Sequence, residues 1–155
     1  MLGELTPEEI DDLLRSEAIG RIGCYAFGRP YVVPITYAYD GVAIYAHSRE
    51  GLKLRMMRSH PSVCFEIDRM DGLTSWKSVI AMGTFSELEA KEAHLAMQLL
   101  RRRFAPLVPS GTPVPDGLLH PSAMPWSVFR ILLGERTGRF EAPDAEVAPP
   151  EHATS

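Results

Sequence analysis

A histidine, a serine, a glycine and a lysine fall close together in the run AHSREGLK (residues 46–53), as His47, Ser48, Gly51 and Lys53. Imidazole, hydroxyl and ammonium groups in one short window suit a phosphate. The next residues, GLKLRMMRS (51–59), predict a short helix with Leu52, Met56 and Met57 turned inward. The first backbone N–H groups of a helix lack partners and carry partial positive charge, so the turn into it favours an anion. The expectation is a phosphorylated planar ligand along the preceding strands, with its phosphate at this turn.

Those strands are the elements that must position it. Val32, Val33, Ile35, Tyr37 and Tyr39 are strand formers, Asp40-Gly41 is a two-residue hairpin signal, and Val42, Ile44 and Tyr45 make the return strand. Pro34 cannot donate to a ladder, so its strand has an edge or a bulge there, and a bulge would open backbone N–H groups to a ligand.

Upstream, Thr6-Pro7-Glu8-Glu9 predicts a helix over 6–16, with a capping box and a Leu5–Ile10 staple. Residues 18–25 read as a strand interrupted by Gly20 and Gly23, and 27–30 as a turn. Downstream, 62–68 alternates as a half-buried strand, 69–75 reads as a loop, and 76–88 as a long strand with a bulge or bend at Gly83. A helix over 89–104 ends in Arg101, Arg102 and Arg103, which offset its dipole. Residues 105–125 hold six prolines and read as irregular, and 126–140 as a last strand bent at Gly134. Residues 141–155, rich in Pro, Ala and Glu, read as a disordered tail. The sum is one domain over 1–140, mainly β with peripheral helices (α+β). Its antiparallel sheet of six strands closes into a small barrel.

A chain of 155 residues with 45% hydrophobic content can bury one core without disulfides or metal. A formal charge of −4 argues against non-specific nucleic-acid binding. Cys24 and Cys64 lack metal or redox spacing and read as reduced, in a cytoplasmic protein. No apolar run approaches the ~20 residues of a membrane span, and no zinc, Walker or Rossmann pattern occurs.

The blocks VVPITYAYDG–IYAHSREGLK, RSHPSVCFEID and WKSVIAMGTFSELE, in this order and spacing, resemble the FMN-binding split-barrel family of pyridoxamine 5'-phosphate oxidase, nearest its nitroimidazole-reductase (Nim-type) branch. The resemblance implies a six-stranded antiparallel split β-barrel, a homodimer with FMN in clefts between the two copies, and a small-molecule substrate. It places Val33, Pro34, Ile35 and Thr36 along the flavin ring, Ala46 and His47 near the phosphate, Lys53 on the phosphate with Leu52 beside it, and Ser78 reaching the flavin. The departures are informative. Tyr31 and Thr36 stand where the vitamin-salvage oxidases carry an arginine and a lysine. Arg130, Arg136 and Arg139 lack the histidine two residues on that completes their substrate pair. That substrate is therefore not expected.

The implied activity is electron transfer from a reduced nicotinamide or deazaflavin donor to a small organic acceptor, such as a nitro compound, with no catalytic acid or base assigned. Two alternatives remain at this stage. One is a flavin carrier or sensor, or a haem-binding relative with His47 or His120 as axial ligand; the other is a barrel that has lost its cofactor. His60 and His94 suit helix positions, and Trp76 and Trp126 suit core or interface better than flavin stacking.

Overall fold

The computed structural model describes residues 1–111 and 126–144. Strands β1 (Leu2–Glu4), β2 (Ile19–Ala26), β3 (Arg29–Thr36), β4 (Ala38–Tyr39), β5 (Ala43–Arg49), β6 (Ser62–Gly72), β7 (Ser75–Glu87) and β8 (Trp126–Glu141) alternate with helices α1 (Pro7–Ser16), α2 (Leu52–Ser59) and α3 (Ala90–Phe104). The pairing is antiparallel throughout, in the order β3-β2-β6-β7-β8-β5-β4, with β1 added on β8.

β3 and β4 stand at the two ends of that order, yet only Tyr37 separates them in the chain. They are two halves of one strand: the first half pairs with β2, the second with β5. The sheet thus closes on itself, and the six-stranded barrel expected from the sequence is present once β3 and β4 count as one strand and β1 as an addition. The central hairpin is shorter than expected. Only Ala38 and Tyr39 pair across Asp40-Gly41, with Tyr45 and Ile44, because residues 29–36 find partners on β2 instead. Asp40 closes the turn by accepting from the N–H groups of Val42 and Ala43, both at 2.8 Å, and Gly41 takes φ +100°, which favours glycine.

Pro34 tests two readings. The β2–β3 register runs unbroken from Ile19↔Thr36 to Ala26↔Arg29, so the expected bulge is not there. Instead the other side of β3 is an unpaired edge, where a missing N–H costs nothing. The bulge occurs between β7 and β8. Ala81 faces Arg136 and Gly83 faces Leu133, so β8 carries an extra residue beside Gly134. Gly83 is obligatory there, because a Cβ would meet Ile131 at 2.4 Å. Residues 69–75, expected as a loop, mostly extend β6, and β1 was not foreseen. Residues 141–144 begin tied down: Ala142 exchanges backbone bonds with the Met1 terminus. Of the expected disordered tail, 141–155, residues 145–155 lie outside the described residues, as does His120.

Each barrel end is plugged by a helix. α1 has the expected capping box, Thr6 N–H to Glu9 at 2.9 Å and Glu9 N–H to Thr6 Oγ1 at 3.2 Å, and buries Ile10, Leu13 and Leu14. α2 buries Leu54, Met56 and Met57. The expected inward Leu52 is half-buried at the core margin instead, since it sits in the first turn. Between the plugs lie Ile22, Tyr37, Ile44, Ala46, Phe65, Ile67 and Phe129. α3 packs outside the barrel through Ala96, Met97, Leu100 and Phe104 against Ala38, Leu88 and Val128, leaving Leu95 exposed.

Candidate functional site

β3 and β5 part company at Tyr37. Their shared ladder would place Thr36 opposite His47 and Pro34 opposite Arg49, but the bridges stop at Ala38↔Tyr45. β3 bends away to β2 while β5 follows β8 and then runs into α2. The parting strands and the start of α2 bring Pro34, Thr36, His47 and Lys53 to one end of the barrel. Strand alternation decides what each residue offers. Pro34 and Thr36 are exposed; Val33 packs against the core, and Ile35 is buried. Ala46 is fully buried, and of Ala46 and Ile35 only the backbone is available to a ligand.

The polar groups at this end are unsatisfied. His47 is half-buried, and its Nδ1 is the buried side-chain atom without a hydrogen-bond partner among the described residues. Burial, and then the nearby Lys53 charge, holds its pKa below the ordinary histidine value. Lys53 is half-buried with no carboxylate beside it among the described residues, and its pKa too is lowered by burial. α2 begins without a side-chain cap at Gly51. A Cβ on Gly51 would meet only the Arg49 carbonyl, at 4.0 Å, so packing within the chain does not require glycine there. An orphaned imidazole nitrogen, an unpaired ammonium, uncapped helix N–H groups and open space at Gly51 together fit a phosphate.

Two neighbours escaped sequence reasoning. The Trp126 ring stacks on the His47 ring, with centroids 4.9 Å apart and planes at 30°. The Arg49 guanidinium lies over the same indole, 5.2 Å from its centroid. The signal was the two-residue spacing of His47 and Arg49, which puts both on one face of a strand; the pairing with residue 126 was not legible.

Ser78 pairs with Asp68 on β6 and with Arg139 on β8. It shares the outer face of β2-β3-β6-β7 with Ile80, Met82, Val32 and Ile19, all exposed, and with Arg21, which is paired to Glu66 and Asp68; Pro34 and Thr36 are on the same face, three strands away on β3. A cleft of about 510 Å³ lies elsewhere, between α3 and β5/β8. There Tyr45 donates to Asp40 and Arg130 to Ser86. Among the described residues no cluster of His, Cys, Asp and Glu could hold a metal, and no helix is long and apolar enough to cross a membrane.

Comparison with known proteins places this architecture. RA0666, an uncharacterized protein of Rhizobium meliloti (strain 1021), is 33% identical over 141 residues, covering 87% of this chain and 92% of its own. The crystal structure of an FAD-binding protein from Mesorhizobium loti superposes with a TM-score of 0.73 at 29% identity, over 92% of this chain and 99% of that one. A protein of Bacteroides thetaiotaomicron provisionally assigned to 5-nitroimidazole antibiotic resistance shares the fold, with a TM-score of 0.69 at 19% identity, over 93% and 92% of the two chains. Residues 6–139 match the family described as pyridoxamine 5'-phosphate oxidase, and the chain belongs to that family.

Proposed function

We propose that this protein is a flavin-nucleotide-binding oxidoreductase that holds FMN between two copies of the chain. The observation that carries the reading is the unsatisfied polar end of the barrel: Lys53 and His47 Nδ1 without partners, among the described residues, beside an uncapped α2. In the apo chain these groups are a standing cost, and a phosphate relieves it. The FAD-binding relative supports a flavin. The gathering of Lys53, His47 Nδ1 and the α2 N–H groups at one point, as a single terminal phosphate requires, favours FMN over FAD.

The unpaired edge of β3, with Pro34 and Thr36 exposed beside the phosphate end, provides a wall for the flat ring. Backbone groups of Ile35 can reach its polar rim, while the buried Ile35 side chain keeps the strand rigid. Ser78 lies on the same outer face as Pro34 and Thr36 but three strands from β3, so a second copy packed on that face is the one whose flavin it reaches. The exposed apolar residues around it, Ile80 and Met82, give that copy a surface to cover. The bound flavin supplies the two-electron redox chemistry. The chain's own residues bind, orient and exclude water, and no side chain is assigned a proton-transfer role. A reduced nicotinamide or deazaflavin is the donor class, and a small organic molecule such as a nitro compound is the acceptor class.

The test is a titration of FMN into wild type and Lys53→Ala, followed by visible absorbance, with molar mass measured by light scattering. The expected result is stoichiometric binding by a dimer, weakened about tenfold or more in the variant. A folded wild type that leaves the FMN spectrum unchanged overturns the reading. A Soret band in the purified protein would move the assignment to haem, with His47 the first ligand to replace.

A further inference from the structure

We infer that Trp126 is the positioning residue of the phosphate end: a single indole holds both the His47 imidazole and the Arg49 guanidinium in place for the anion. The inference rests on the phosphate site proposed above and adds Arg49 and Trp126 to it. β5 and β8 pair with His47 opposite Val128 and Arg49 opposite Trp126. His47 and Arg49 therefore point to one side of the sheet, two residues apart, and the indole across from Arg49 reaches diagonally to His47. The contacts are the 4.9 Å stack on His47 and the 5.2 Å approach of the Arg49 guanidinium.

Neither of these side chains is held by anything else polar. Among the described residues Arg49 has no hydrogen-bonded or ion-paired side-chain partner, and His47 Nδ1 has no partner at all. An arginine held only by a ring face keeps all of its N–H donors for an incoming oxyanion. The contrast with Arg58 is direct, because its guanidinium is taken up by Glu50 and Glu87. The location is right as well: Arg49 is the last residue of β5, and α2 starts at Leu52. Fixing a long exposed side chain before the ligand arrives lowers the entropy cost of binding. The ligand class is a phosphate monoester, and the phosphate is the part of FMN that riboflavin lacks.

The experiment titrates FMN and riboflavin, separately, into wild type, Trp126→Phe, Trp126→Leu, Arg49→Gln and Lys53→Ala, with thermal midpoints to confirm folding. Trp126→Leu should weaken FMN about tenfold while changing riboflavin by less than about twofold, and Trp126→Phe should keep FMN within about threefold of wild type. Equal losses for both ligands in Trp126→Leu would mean that the indole merely supports the fold, and unchanged FMN affinity would mean that it does nothing; either overturns the inference. Should Trp126→Leu not fold, Arg49→Gln decides: it must lower the FMN-over-riboflavin preference, and an unchanged preference overturns the inference. If Lys53→Ala lowers that preference and the Trp126 and Arg49 variants do not, this inference fails while the phosphate site stands. If wild type shows no preference for FMN over riboflavin, both fail together.

Discussion

The two ends of the barrel are closed in the same way and finished in opposite ways. At the α1 end the buried and half-buried polar side chains have internal partners. Tyr39 donates to Asp11 at 2.7 Å and accepts from Arg136, and Arg15 pairs with Asp11 at 3.0 Å. The Tyr37 hydroxyl donates to the Leu14 carbonyl at 2.7 Å, and Arg69 pairs with Glu17. Arg103 donates to the carbonyls of Ser16 and Glu17, where α1 ends. At the α2 end Lys53, His47 Nδ1 and the first N–H groups of the helix are left over. Both helices bury three apolar side chains, Ile10, Leu13 and Leu14 on α1 and Leu54, Met56 and Met57 on α2, to similar depth, so hydrophobic burial does not distinguish one end from the other. Polar bookkeeping does: one end completes its own hydrogen bonds, and the end that leaves polar groups over is the one proposed to take a ligand.

The sharpest way to break this contrast is to weaken each plug equally. Leu14 and Leu54 are both fully buried, and Leu→Ala at either should cost about 2–5 kcal/mol in chemical denaturation. Only Leu54→Ala should also weaken FMN at temperatures where the protein is folded, since only it disturbs the start of α2. Equal effects on FMN would mean that the barrel responds as a unit and its ends are not specialised.

Smaller single-group changes sharpen the contrast. Tyr39→Phe removes two hydrogen bonds at the α1 end and should cost about 1–2 kcal/mol of stability, with FMN affinity unchanged. Lys53→Met should do the reverse. It replaces an unpaired, half-buried ammonium with an apolar side chain of similar length, so the apo-protein should be at least as stable, while FMN binding falls about tenfold or more. A clear loss of apo-stability in Lys53→Met would show that the lysine has a structural partner after all.

Much of this was legible in the sequence, for identifiable reasons. The Thr6 capping box, the Asp40-Gly41 turn and the Gly83 irregularity are local, and local chemistry reads directly from residue order. His47, Gly51 and Lys53 were legible as a group because they lie in one continuous segment at the turn into α2. What stayed hidden depends on long-range pairing. Nothing near Pro34 tells whether residues 29–36 pair with β5 or with β2, and that choice converts an expected bulge into an edge. That Ser78 shares an outer face with Pro34 and Thr36, three strands from β3, depends on the β2–β6 and β6–β7 ladders. Trp126 is 79 positions from His47 and joins it only through the β5–β8 ladder.

The smallest predicted effect tests whether His47 is held neutral. Burial first, and the Lys53 charge second, keep its pKa below the ordinary value of 6.5 in the folded apo-protein. Above that value the ring is neutral in folded and unfolded chains alike, and stability does not depend on it. As pH falls below 6.5 the unfolded chain takes up the proton first, so stability declines until the lowered folded pKa is passed. The thermal midpoint of the apo-protein should therefore fall between neutral and mildly acidic pH, and His47→Gln should remove part of that fall. Saturating phosphate should shrink the wild-type decline as well, because an anion beside the ring favours the imidazolium. If His47→Gln follows the wild-type curve at every pH, the ring is as well solvated as a surface histidine. The α2 end would then lose one of its unsatisfied groups, and the difference between the two ends would rest on Lys53 and the uncapped helix alone.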